Sequence, residues 1–158
     1  ISRWNGSGWN TMVSNDFGQK DLYAIWGTED DNIYAVGDGG MVLRYEDDSD
    51  DWEVEIVAGP YNKNDDLRSL GGYVDVSLGL SNAKKTVAFT GGTEARLLKL
   101  GNGDWKDAEA DLEADLFDLW VTESVAVAVG SGGTIVKRKT ANIIYNICIS
   151  STKNIIYN

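Results

Sequence analysis

Residues Asn32–Glu46 read "NIYAVGDGGMVLRYE", and residues Ser124–Lys139 read "SVAVAVGSGGTIVKRK", a fainter copy of the same text. Each is a pair of strand-sized apolar runs, rich in Val, Ala, Ile and Leu, split by a glycine-rich turn. Glycine supplies the positive φ that tight hairpin loops demand, so "DGG" and "SGG" predict hairpin turns.

The pattern extends outward from these hairpins. Three segments open alike, "DLYAIWG" from Asp21, "DLRSLGG" from Asp66 and "DLFDLWV" from Asp115, at spacings of 45 and 49 residues. Each opener leads to a run ending in glycines ("IYAVGDGG", "TVAFTGG", "VAVAVGSGG") and then to a third run ("MVLRY", "RLLKL", "TIVKR"). The first two units continue to a Trp and a fourth run, at Trp52 and Trp105. Each unit therefore predicts four antiparallel strands, a to d, in about 45 residues. The N-terminus fits the same register. "ISRWNGSGWNTMV" matches "VLRYEDDSDDWEVEIV", which makes it a remnant of strand c, a turn, and a strand d near residues 9–13 that begins at Trp9.

The expectation is an all-β chain with strands near 22–27, 33–37, 41–45, 52–57, 67–70, 86–90, 96–100, 116–121, 125–129 and 134–138. Helix competes only in "DWKDAEADLEADLFDLW", whose Ala, Glu and Leu favour it, but the repeat sets strands at Trp105 and Leu116.

The text of the first unit, "LYAIWGTEDDNIYAVGDGGMVLRYEDDSDDW", resembles the blade repeat of bacterial β-propellers, which is distantly similar to the WD-repeat and photosystem II assembly-factor propellers. The match is close in the first unit, good over three strands of the third, and poor in the second. It covers about residues 1 to 138. The resemblance implies β-propeller blades in residues 1–140, in units starting near 21, 66 and 115, followed by a tail at 141–158. It also implies a secreted, periplasmic or cell-surface location. It does not carry a function, because propellers host many. Rings of this kind have about four to eight blades, so three leave the ring open. A homodimer of six blades, or a longer propeller, is then expected. The alternative architecture is a β-trefoil, which closes with three four-stranded repeats.

Bulk composition narrows the chemistry. The chain of 158 residues holds 18 Gly, 6 Trp and 7 Tyr but one Pro, which suits short strands joined by tight turns. It has no His, which removes the usual general base and the commonest metal ligand. The one Cys, Cys148, makes neither an internal disulfide nor a thiolate zinc site, so no transition metal and no cofactor is expected. A net charge of −11 argues against nucleic acid as a partner. No apolar run reaches the length of a membrane span. All 25 acids lie at or before Glu123, and only Lys137, Arg138, Lys139 and Lys153 carry charge beyond it.

The tail, "TANIIYNICISSTKNIIYN", changes character. "NIIYN" occurs at Asn142 and again at Asn154, in a stretch with no acid and no Gly. Three readings stay open: the last strand d, an arm that pairs with another subunit's edge, or an appended segment foreign to the repeat.

Candidate sites are few. Trp26 and Trp120 hold equivalent places at the end of strand a, where they either stack on a sugar or wedge between blades as core. "EDDSDD" places Asp47, Asp48, Asp50 and Asp51 in one c–d turn. These are weak calcium candidates, since the glycine of a calcium loop is missing and exposed turns are often acidic. "SNDFG" from Ser14 has the Ser-x-Asp-x-Gly spacing of an Asp-box, but lies between strands d and a. "NGS" at Asn5 is a glycosylation sequon. The expected function is a non-catalytic interaction module that binds a protein or a carbohydrate. The alternatives are a glycosidase-like enzyme with paired carboxylates and a purely structural assembly module.

Overall fold

The computed structural model describes residues 1–12, 20–28, 32–46, 48–55, 65–75, 85–94, 96–101, 103–108, 113–139 and 147–148. The chain is all-β. Among these residues fourteen strands form four antiparallel sheets, with no α-helix. An N-terminal hairpin pairs β1 (Ser2–Trp4) with β2 (Trp9–Thr11). The first four-stranded sheet holds β3 (Leu22–Gly27), β4 (Ile33–Gly37), β5 (Val42–Glu46) and β6 (Asp51–Val54). The second holds β7 (Leu67–Asp75), β8 (Lys85–Gly92), β9 (Leu97–Gly101) and β10 (Asp104–Asp107). The third holds β11 (Leu116–Val121), β12 (Val125–Gly130), β13 (Ile135–Lys139) and β14 (Ile147–Cys148). Each of the three is an up-and-down meander in chain order, and none closes on itself.

The strands fall within a residue or two of the expected spans, except β6 and β7. β6 ends at Val54, short of the expected 57, and residues 56 and 57 lie outside the described residues. β7 runs on through Gly71 and Gly72 to Asp75, past the expected span of 67–70. Both glycines are sites of close approach rather than turns. A Cβ on Gly71 would lie 3.0 Å from Leu119 Cδ1, and one on Gly72 would lie 2.7 Å from the Trp26 ring. Residues 104–107 and 116–121 of the acidic segment are strands, as the spacing of the units requires rather than as helix propensity suggests.

The sheets pack face to face through their first strands, with β7 lying between β3 and β11. Between the first and second sheets, Tyr34, Val36 and Val42 meet Leu67, Ala88, Leu98, Leu100 and Trp105, and Ala24, Trp26 and Leu70 pack around them. Trp105 is fully buried and stands edge-on to Tyr34, ring centroids 5.8 Å apart. Burying each large apolar side chain here stabilises the fold by about 1.5–3 kcal/mol. Between the second and third sheets, Leu97 and Ala108 meet Leu116, Ala128 and Val136, with Leu119 alongside. The N-terminal hairpin lays Met12 on Ala35, Leu43, Tyr45 and Trp52 of the first sheet.

One hydrogen-bonded clasp occurs in all three large sheets. The opening Asp gives its carbonyl to the residue after the second strand's last glycine: Asp38 N–H to Asp21 O, Thr93 N–H to Asp66 O and Ser131 N–H to Asp115 O, each 2.9 Å. The same three residues answer with their side chains. Asp38 Oδ2, Thr93 Oγ1 and Ser131 Oγ accept the backbone N–H of Asp21, Asp66 and Asp115 at 3.0, 2.8 and 3.1 Å. The chain comes so close that a Cβ at Gly37, Gly92 or Gly130 would overlap the partner carbonyl. A β-bulge follows the opening Leu in every case, at Leu22/Ala24, Leu67/Ser69 and Leu116/Asp118.

The clasp also ties neighbouring sheets. The Asp66 carboxylate accepts the Gly39 N–H from the first sheet's b–c turn at 3.2 Å. The Asp115 carboxylate accepts the Glu94 N–H from the second sheet's b–c turn at 3.0 Å. Arg138 adds a further tie, donating to Ala108 O at 3.0 Å with its guanidinium over the Phe89 ring.

Candidate binding surfaces

The two tryptophans marked from the sequence meet different fates. Trp26 is half-buried and packs against the core between the first and second sheets, its ring laid over Gly72. It serves as a wedge between sheets. Trp120, at the equivalent place in the third sheet, is 62% exposed on the outer face. They are not brought together.

The acidic turn is partly occupied by its own protein. Asp50 sits at positive φ (52°), a conformation Asp tolerates better than most side chains. Its Oδ1 accepts the Tyr45 hydroxyl at 2.6 Å and pairs with the Arg3 guanidinium, which also donates to Tyr45 Oη at 2.6 Å. The Tyr45 hydrogen bond first, and Arg3 after it, hold the Asp50 carboxyl below its usual range. Asp51 turns back to accept the Trp52 N–H at 2.8 Å, and Asp48 is exposed. Asp47 lies outside the described residues. Among the described residues no three His, Cys, Asp or Glu side chains converge on a point that would hold a metal ion.

The Arg3–Tyr45–Asp50 knot, which the sequence alone did not mark, closes one side of a cleft of about 610 Å³ between the N-terminal hairpin and the acidic turn. Trp4, Asn10 and Thr11 also line it. Trp4 is 52% exposed and stands edge-on to Trp9, which is 71% exposed. An indole beside amides and a carboxylate offers the cleft stacking and hydrogen bonding together. The sequon residue Asn5 closes the hairpin turn, its Oδ1 accepting the Ser7 and Gly8 N–H groups at 2.9 and 2.8 Å. "SNDFG" falls outside the described residues.

At the other side of the clasp, Tyr23 donates its hydroxyl to Asp38. That hydrogen bond pushes Tyr23 up to about 12 and draws Asp38 below its ordinary value. Asp38 is thereby kept ionised as the acceptor for Asp21 N–H.

The two ends of the row of sheets are apolar and open. On the first sheet, Leu22 and Ile25 are 39% and 66% exposed. On the third, Trp120, Val129 and Ile135 share the outer face, Val129 and Ile135 being directly paired across β12 and β13. The sequence signal for the first end was present in the "DL" opener, which buries its Leu in the second and third units and not in the first. Among the described residues no helix is long and apolar enough to cross a membrane. No family model, no curated protein and no solved structure matches this chain.

Proposed function

We propose that this chain is a non-catalytic interaction module whose sheets act as the blades of a propeller-type array, and that it works by docking through the ends of that array. The observation that carries the reading is the pair of open end faces. Exposed apolar side chains gathered on one sheet face mark interaction surfaces more often than solvent-adapted ones. Separate four-stranded meanders stacked through their first strands favour blades over a β-trefoil, whose strands share a closed barrel. A protein partner fits the end faces. A carbohydrate is the second reading, favoured by one feature, the cleft beside Trp4, Asn10 and the Arg3–Asp50 pair.

Binding of the chain to immobilised proteins and to a glycan array, with Ile25→Asp and Trp4→Ala variants alongside, tests both readings. Loss of protein binding in Ile25→Asp supports the end-face reading. Glycan binding lost in Trp4→Ala supports the cleft. Turnover of a chromogenic glycoside that vanishes on replacing a carboxylate would overturn both.

A further inference from the structure

The three openers "DLYAI", "DLRSL" and "DLFDL" place an Asp, a Leu and a second aliphatic residue at the same positions of β3, β7 and β11. In two sheets all three residues engage the sheet before them. Leu67 and Leu116 are fully buried, Leu70 and Leu119 pack on the same inter-sheet cores, and Asp66 and Asp115 accept the b–c turn N–H groups of Gly39 and Glu94. In the first sheet the trio stands open. Leu22 and Ile25 are exposed, and the Asp21 carboxylate accepts no hydrogen bond among the described residues.

The matching apolar side chains are exposed on the third sheet. Trp26, Val36 and Val42, together with Ala24 and Tyr34, are the residues of the first sheet packed in the core it shares with the second. Trp120, Val129 and Ile135 hold the same positions in the third sheet, counted from the openers and from Gly37 and Gly130, and are 62%, 43% and 40% exposed. The turn Ser131–Gly133 also repeats the turn Asp38–Gly40, with Gly132 at φ 65° where Gly39 has φ 54°.

We infer that a second copy of this chain docks head to tail on the first, its third sheet seated against β3 as the first sheet is seated against β7. Trp120, Val129 and Ile135 of the incoming copy cover Leu22 and Ile25. The N-terminal hairpin already marks the seat. Met12 lies on Ala35 and Leu43 as Ala108 lies on Ala128 and Val136, so the hairpin holds the outer half of a preceding sheet and leaves the inner half empty. β1 pairs with β2 as Ser2↔Thr11 and Trp4↔Trp9, the register of Leu43↔Val54 and Tyr45↔Trp52. The incoming β13 therefore gives up its two-residue pairing with β14 and takes β1's place against β2, while β11 and β12 fill the inner half. Two copies that exchange ends in this way close a ring of six sheets.

This inference rests on the end-face reading above and is tested separately from it. Sedimentation velocity over a dilution series is run on the whole chain and on the Ile25→Asp and Trp120→Asp variants. Both residues are exposed, so the substitutions leave the single chain folded, and circular dichroism checks that they do. Wild type should be dimeric, and each variant alone should dissociate at about tenfold or more higher concentration, as expected for a charge set into the centre of an interface. Mixing the two variants should restore a dimer, because one of its two interfaces then joins an intact third sheet to an intact first sheet. A wild-type monomer at every concentration overturns the docking, as does a dimer that ignores both substitutions or a mixture that does not recover. If the docking fails while Ile25→Asp still abolishes binding to another protein, the interaction-module reading survives. Glycosidase turnover would sink that reading instead.

Discussion

Asp66 and Thr93 bond to each other twice. The Thr93 N–H donates to the Asp66 carbonyl at 2.9 Å, and the Asp66 N–H donates to Thr93 Oγ1 at 2.8 Å. The pair joins the start of β7 to the end of β8, and the Asp66 carboxylate is thereby held where it reaches Gly39 of the neighbouring sheet. One reciprocal contact fixes both the entry to a sheet and its link to the next. Thr93→Val keeps the shape and removes the acceptor, leaving a half-buried N–H unpaired. The expected loss is about 1–2 kcal/mol, read as a lower urea midpoint with unchanged slope. Ser131→Ala should cost a similar amount, through Asp115.

Gly92 is expected to tolerate no side chain. A Cβ there would overlap the Asp66 carbonyl oxygen, a backbone atom that moves only if the clasp opens. Gly92→Ala should therefore destabilise by about 3 kcal/mol, the upper end for overpacking. Gly101→Ala is the control, because nothing lies within 4 Å of a Cβ at that position. Thermal melts of the two variants separate a close-approach glycine from a permissive one.

These glycines show what the sequence made legible. The all-β fold could be read because apolar runs of strand length alternate with glycine turns, and a local pattern needs no tertiary information. The turn at Asp38–Gly40 and the strands on either side fall where the text placed them. The extent of β7 could not be read, because Gly71 and Gly72 act as seats for Leu119 and Trp26, which lie 48 residues later and 46 residues earlier. Trp26 and Trp120 look identical in sequence, yet one is a wedge packed on the neighbouring sheet and the other is exposed among the described residues. The Arg3–Tyr45–Asp50 knot joins residues more than forty positions apart without a motif, so no reading of local spacing reaches it.

Arg96 and Asp65 make a buried ion pair. Asp65 is 1% exposed, and its Oδ2 accepts from Arg96 Nε at 3.2 Å and from an Arg96 terminal nitrogen at 2.8 Å, while Oδ1 is left without a hydrogen bond. Removing only the cation strands a carboxylate in a dry site. Arg96→Met is expected to cost about 3–5 kcal/mol, and Arg96→Met with Asp65→Leu much less, because the second change removes the stranded charge. A double-mutant cycle by chemical denaturation checks the difference.

In the single, undimerised chain the N-terminal hairpin should detach in acid before the sheets unfold. Its polar anchor is Asp50, whose carboxylate accepts the Tyr45 hydroxyl and pairs with Arg3 of β1. These contacts, the Tyr45 bond foremost, lower the Asp50 pKa from its ordinary value in the unfolded chain, about 3.9. A depressed carboxyl pKa means that the docked hairpin binds the proton less readily than the free one. The stabilisation is therefore complete above about pH 4 and is lost as pH falls through the depressed value. Asp50 is solvent-exposed, so the effect is local and salt weakens it. Met12 on the first sheet supplies the remaining, pH-independent hold. Hydrogen exchange at the Met12 amide, which donates to the Ile1 carbonyl at 3.1 Å, should accelerate below pH 4 relative to the amides of β8. Tyr45→Phe should move the onset up toward the ordinary carboxyl range, because the largest cause of the depression is gone. Asp50→Asn should remove the pH dependence and leave the hairpin loose throughout. If Met12 protection falls with pH in parallel in wild type and Asp50→Asn, Asp50 does not anchor the hairpin.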